Sequence, residues 1–153
     1  MGSPLSDVVI RPYRADDEAA VIALWQTCDL TRPQNDPAKD IARKLRVNPE
    51  WFLVAEVPSG AAGGEVASLA GSVMAGYEGH RGWINYLAVA PTHQRSGLGG
   101  ALMAAAEGQL RAAGCPKINL QVRPENAGAI EFYRKIGFVV EGAISLGKRL
   151  EVD

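Results

Sequence analysis

The stretch from Tyr86 to Leu102, YLAVAPTHQRSGLGGAL, leaves this chain few architectures. It opens as an apolar run with strand character and passes Pro91 and a short polar bend. It then enters, through Gly97, Gly99 and Gly100, an Ala/Leu-rich segment with helical spacing. The reading is strand, glycine loop, helix. A helix that starts in such a loop presents backbone N–H groups with no intrahelical partner, and its peptide dipoles place partial positive charge at the same end. Anions bind there, and glycines let a phosphate approach the amides closely. Arg95 can add a charged donor at the rim. Dinucleotide and P-loop sites use the same physics. Here, however, no Lys-Ser/Thr pair follows the glycines, and Gln94-x-x-Gly97-x-Gly99 is not G-x-G-x-x-G.

A chain of 153 residues is long enough to bury a substantial core without staples. A net charge of −1 gives no electrostatic case for nucleic acid or for an anionic membrane. Cys28 and Cys115 lack metal-ligand spacing and read as reduced structural thiols, so no metal is expected and a reducing, cytoplasmic location fits. No apolar run reaches the roughly 18 residues of a membrane span, and Met1 to Ser6 lacks the apolar region of a signal peptide. Residues 1–6 read as a disordered start or a cloning remnant, and residues 7–153 as one domain.

Val8 to Arg11 reads as a strand halted by Pro12. From about Asp16 the apolar positions Ala20, Val21, Leu24 and Trp25 recur at helical spacing, with acids in the first turn. Cys28 to Pro37 is a polar, Pro-rich loop. Asp36 can cap a second helix with Pro37 at its first position, which places Ile41 and Leu45 on one face. Phe52 to Val57 and Ser68 to Tyr77 read as strands around a flexible tip at Pro58 to Gly64. A turn at Glu78 to Gly82 leads to the strand Trp83 to Val89. The helix after the glycine loop carries Leu98, Leu102, Ala106 and Leu110 along one stripe and can close at Gly114. Ile118, Leu120 and Val122 alternate as a strand. A last helix runs from about Asn126 to Ile136 and ends at Gly137, and Phe138 to Val140 and Ile144 to Leu150 read as two closing strands. The plan is layered α/β (α+β), with about four helices covering both faces of a mixed sheet of about six to seven strands.

Asn126 and Tyr133 are seven residues apart, so on a helix they differ by about 20° in direction and roughly 10 Å along the axis. Ala129 and Ile130 lie between them. One face thus offers an amide, then small groups that leave room, then a phenol, which suits a long thin ligand.

Gln94-Arg95-Ser96-Gly97-Leu98-Gly99 resembles the Q/R-x-x-G-x-G/A acyl-CoA loop of the GNAT superfamily of N-acetyltransferases, directly after a strand ending Leu87-Ala88-Val89. The resemblance extends to Asn126, Phe132-Tyr133 and Gly137-Phe138. In the segments Cys28 to Pro37 and Gly76 to Gly82 the chain looks like the small bacterial acetyltransferases of the YpeA type. The resemblance implies a mostly antiparallel single-domain GNAT sheet and acetyl-CoA as co-substrate. It implies that backbone atoms of Leu87, Ala88 and Val89 hold the pantetheine arm, that amides from Arg95 to Gly100 hold the pyrophosphate, and that Asn126, Ala129 and Tyr133 line the arm. It places the family's usual general acid at Tyr133, a neutral donor at pH 7.

Glu78, with His80 as a weaker alternative, sits in a glycine-flanked turn from which a base could reach the acceptor directly or through water; either also fits a solvated turn residue. Glu56 is a further candidate. The demand on a base depends on the acceptor, since an α-amine of roughly pKa 8 is partly neutral already whereas a lysine at about 10.4 needs more help. Arg32, Asn35, Asp36 and Arg81 can line the acceptor side, and Trp25, Trp51 and Trp83 read as packing residues. With no cysteine in a matching motif, direct attack by a primary amine in a ternary complex is favoured over a covalent acyl-enzyme. The competing readings are a non-catalytic acyl-CoA-binding regulator and a nucleotide-binding α/β module. The acceptor is a small-molecule, peptide or protein amine, and exposed closing strands make a homodimer plausible.

Overall fold

The structure is a computed structural model that describes residues 5, 7–58 and 68–153. The expected tip at 58–64 lies outside the described residues apart from Pro58, as does the expected disordered start apart from Leu5. The chain runs β1 (Val9–Pro12), α1 (Glu18–Thr27), α2 (Pro37–Lys44), β2 (Phe52–Val57), β3 (Ser68–Tyr77), β4 (Gly82–Val89), α3 (Leu98–Ala112), β5 (Ile118–Asn119) and α4 (Ala127–Lys135). The strands form one sheet in the order β1-β2-β3-β4-β5, antiparallel except for the parallel β4–β5 pair.

Both faces of the sheet are covered, which is why its middle strands read as nearly unbroken apolar runs. Side chains of β2 alternate between two cores. Leu53 and Ala55 pack with the α3 stripe Leu98, Leu102, Ala106 and Leu110, which is buried as its spacing predicts. Phe52 and Val54 pack on the other face with Val21, Leu24 and Trp25 of α1 and Ile41 of α2. Asp36 caps α2, its Oδ1 accepting from the Ala38 N–H at 2.9 Å, and Pro37 takes the first helical position, where no N–H is needed. Leu45, expected beside Ile41, is 42% exposed because the helix ends at Lys44. Gly114 and Gly137, both at positive φ, follow the ends of α3 and α4 as expected of C-terminal caps.

Among the described residues the sheet has five strands rather than six or seven. Ile118 to Val122 pairs only over Ile118–Asn119, and residues 138–150 form no ladder. Alternating apolar residues give a strand only where a neighbouring backbone supplies hydrogen bonds, and β4 offers β5 two rungs, at Gly82 and Trp83. Val139, Val140, Ile144, Leu146 and Leu150 are accordingly exposed. Side chains hold this part of the chain instead, through Lys117 to Glu141 at 2.7 Å and Arg43 to Asp153 at 2.7 Å. Among the described residues no helix is long and apolar enough to cross a membrane.

Candidate active site

The site is built where β4 leaves its neighbours. Between the pairs Met74–Asn85 and Ser72–Ala88, β3 spends one residue and β4 spends two, Tyr86 and Leu87. This is a β-bulge, and Tyr86 takes φ +52° within it. The bulge explains a break in period: Ile84, Leu87 and Val89 all pack on the α3 side, while Tyr86 and Ala88 pack on the α1 side. A spacing of 84, 87, 89 on one face requires an extra residue, where the sequence predicts a plain strand.

The Ala90 N–H donates to Ala70 O on β3 at 2.7 Å. Because a strand's backbone groups alternate between its two edges, the Val89 N–H and C=O face the other edge; the Leu87 N–H lies trans to the Tyr86 carbonyl, which Ser72 of β3 holds, and so points away from β3 as well. The Val89 carbonyl accepts there from Gln94 Nε2 at 3.1 Å and from Cys28 Sγ at 3.3 Å. Gln94 therefore ties the loop entrance back to the strand end, a structural task for the first residue of the motif. On that edge β5 pairs only with Gly82 and Trp83, so the Leu87 and Val89 amides lie beyond the last rung.

The loop follows as read. A turn of 3-10 helix at Pro91–His93 leads to Arg95 at φ +63° and Gly97 at φ +89°, which is the N-cap of α3. The first bond of α3 runs from the Ala101 N–H to Gly97 O, so the amides of Leu98, Gly99 and Gly100 precede the ladder. Among the described residues no side chain caps this end. The glycines answer different demands. Gly97 supplies the left-handed turn. A Cβ on Gly99 would lie 3.2 Å from the Phe132 ring, so Gly99 lets α4 close onto α3, whereas Gly100 faces open space.

That approach of α4 brings Tyr133 into the cluster holding Leu87 and Val89. Its ring meets Phe132 and Phe138 edge-on, at centroid distances of 5.0 and 5.5 Å. Burial pushes its hydroxyl up to about 12, which keeps it a phenol at any physiological pH. Asn126 is the N-cap of α4 and its Oδ1 accepts from the Ala129 N–H at 3.1 Å, so what it brings to a ligand is its Nδ2 donor.

The acceptor-side candidates divide into two groups. Arg32, Asn35 and Asp36 line a hollow of about 470 Å³ with Gln26 and Asp153, in the loop that begins at Cys28 beside Val89. Arg32 spends its guanidinium on the Asp29 and Thr31 carbonyls at 2.8 Å, bracing its own loop. Glu78, His80 and Arg81 lie in the turn before Gly82, at the other end of β4 and about 20 Å along the strand from Val89. The Glu78 carboxylate accepts from the Arg81 N–H at 2.6 Å and the His80 N–H at 3.1 Å, and these amides hold it below the usual carboxylate range. Glu56 is on β2, paired with Arg11 at 3.2 Å toward the β1 edge. Ser72, Tyr86 and Asp40 were not anticipated as part of this region. Tyr86 contacts Asp40 through its hydroxyl at 2.6 Å and Ser72 through its carbonyl at 2.8 Å.

Comparison with known proteins agrees with this geometry. The model of the acetyltransferase (GNAT) family matches residues 16–138. An acetyltransferase of Pectobacterium atrosepticum is 49% identical over 144 residues, covering 94% of this chain and 96% of its own. Among solved structures, Ard1 of Thermoplasma volcanium superposes with a TM-score of 0.75 at 32% identity, over 88% of this chain and 84% of that one. AAC(6')-Iy in complex with the bisubstrate analogue CoA-S-monomethyl-acetylneamine shares the fold at a TM-score of 0.71 and 19% identity, over 94% and 99% of the two chains. A β4 edge open beyond Trp83, a bare start to α3 and a half-buried phenol packed in the same cluster are thus set in a chain that belongs to the GNAT family of acetyltransferases.

Proposed function

We propose that this acetyltransferase moves the acetyl group of acetyl-CoA to a primary amine by direct attack in a ternary complex. The observation that carries the reading is that Leu87 and Val89, beyond the last rung of β4 with β5, pack in one cluster with the start of α3 and Tyr133 on one side of the sheet. The residues fit coenzyme A. Amides from Gly97 to Gly100, with Arg95 at the rim, suit its diphosphate. The open β4 edge suits the amides of the pantetheine arm, as a strand added to a sheet. Asn126 Nδ2 supplies a further donor. That AAC(6')-Iy holds a CoA conjugate of an amine on the same fold supports the substrate class.

In the reaction the neutral amine nitrogen bonds to the thioester carbon, and the carbonyl oxygen gains the electron pair. Main-chain N–H groups of Leu87 or Val89 stabilise that oxyanion. As it collapses the C–S bond breaks, and Tyr133 gives its hydroxyl proton to the departing thiolate, to be reprotonated from solvent. The amine's surplus proton leaves on the acceptor side. Glu78 and His80, about 20 Å along β4 from Val89 and with the Glu78 oxygens engaged by their own turn, are too far to take that proton through one water, so neither is assigned the task. An acceptor that is partly neutral near pH 8 needs no stronger base.

The test is release of free coenzyme A from acetyl-CoA against a panel of amino acids, polyamines and short peptides. Turnover with at least one amine is expected. Tight coenzyme A binding with no product from any amine would make the chain an acyl-CoA-binding regulator instead.

A further inference from the structure

Tyr86 is gripped at three points by groups that touch neither of the two substrates in the reading above. Its carbonyl accepts from Ser72 Oγ at 2.8 Å. Its ring lies on Trp25 with centroids 3.7 Å and planes 11° apart. Its hydroxyl donates to Asp40 Oδ2 at 2.6 Å. Ser72 is 0% exposed and its Oγ also accepts from Trp25 Nε1 at 2.9 Å, so Trp25 holds Tyr86 both directly and through the serine.

This grip falls on one of the four described non-glycine residues held at positive φ. A tyrosine at φ +52° occupies the left-handed region that L side chains disfavour, and such a backbone persists only where its surroundings over-determine it. In a bulge the extra residue falls out of the ladder. Here the Ser72 hydroxyl, projecting from β3 one residue before the skipped pair, bonds the Tyr86 carbonyl. The peptide from Tyr86 to Leu87 is rigid and planar, so fixing its carbonyl fixes the direction of the Leu87 N–H; the Val89 N–H is set by the rungs Ser72–Ala88 and Gly71–Val89.

We propose that Ser72, supported by Trp25 and Asp40, is a positioning residue for acyl transfer: it locks the β4 bulge so that the Leu87 amide, beside that of Val89, points at the thioester carbonyl. The inference rests on the acetyl-CoA reading of the β4 edge. A hydroxyl serving only the core would leave the polarisation of that carbonyl unchanged when removed.

The experiment uses acetyl-CoA carrying 13C at the carbonyl and reads its infrared band bound to the protein, which needs no knowledge of the acceptor. In the wild type the band is expected below its position in water. Ser72→Ala is expected to hold acetyl-CoA within about threefold of the wild-type affinity while the band returns at least halfway to the solution value. With an acceptor from the amine panel, kcat falls about tenfold to a hundredfold with KM for acetyl-CoA little changed. A folded Ser72→Ala protein with the wild-type band and kcat overturns the proposal. Should that variant not fold, Trp25→Phe, which keeps a ring but removes the Nε1 donor, and Asp40→Asn are expected to move the band the same way by less; an unmoved band in both also overturns it. A wild-type band already at its position in water would refute the amide-donor reading itself, a failure visible before any variant is made.

Discussion

Gly97, at φ +89°, has a backbone that any other L residue adopts only with strain, and its amide opens the group that precedes the α3 ladder. Gly97→Glu adds to that strain a carboxylate beside the expected diphosphate. Acetyl-CoA binding is expected to be lost by calorimetry while the melted fraction at 25 °C stays small; unchanged affinity would remove the loop from the site. Tyr133 acts by a different route. Tyr133→Phe removes one oxygen and keeps the edge-on contacts with Phe132 and Phe138, so kcat should fall about a hundredfold with the affinity for acetyl-CoA within about twofold. The raised folded-state value of its hydroxyl also has a sign. The phenol form is favoured in the folded protein, so it stays a donor until pH approaches about 12, and any stability this lends is complete below about pH 10 and lost above it. The kcat–pH profile should therefore show no descending limb below about pH 10; a fall near pH 8 would assign the donor to another group.

Among the elements, α2 and α3 were the most legible. Asp36-Pro37 and the 98, 102, 106, 110 stripe are local patterns whose physics is complete within a few residues, and both stand as read. Asp36→Ala is expected to cost about 1 kcal/mol by denaturant unfolding, the usual value of a lost N-cap. A cost near zero would show that Asp153, which accepts from the Asp36 N–H at 2.9 Å, holds that end instead. The last strands were misread because their fate depends on partners far away in sequence. Phe138 to Val140 and Ile144 to Leu150 are apolar enough to read as strands, yet nothing in them reports that β5 stops after Asn119. The bulge at Tyr86 falls between these cases: the odd spacing of Ile84 and Leu87 was visible, but Ser72 and Asp40 could be joined to it only by the fold. The loop and Tyr133 could each be proposed from one contiguous motif, whereas the acceptor candidates come from a loop and a turn that the fold sets at opposite ends of β4.

At the scale of the whole molecule, two apolar layers sandwich the sheet, and a charged cluster pins its outer edge. Arg11 bonds Asp17 at 2.8 Å and Glu56 at 3.2 Å, joining β1, the turn before α1 and β2. The Arg11 hydrogen bond, together with the Arg14 N–H, holds the Asp17 carboxyl below its ordinary value. The folded state therefore keeps a carboxylate that the unfolded chain protonates near pH 3.9, and this stability is present above that pH and lost as pH falls below it. Asp17→Asn should lower the melting temperature at pH 7 and narrow its gap to the wild type as pH drops toward 3; a gap that does not change with pH would make the effect one of packing alone.

The parting of β4 from β5 after two rungs has a consequence for dynamics. A ladder left incomplete beyond Trp83 has amides that exchange freely with solvent, and a bound pantetheine arm would complete it from outside the chain. Deuterium uptake at Leu87 and Val89 should slow sharply when coenzyme A is added and little elsewhere in β4. The cofactor would thus act as a removable rung, stiffening the catalytic edge only while there is an acyl group to transfer.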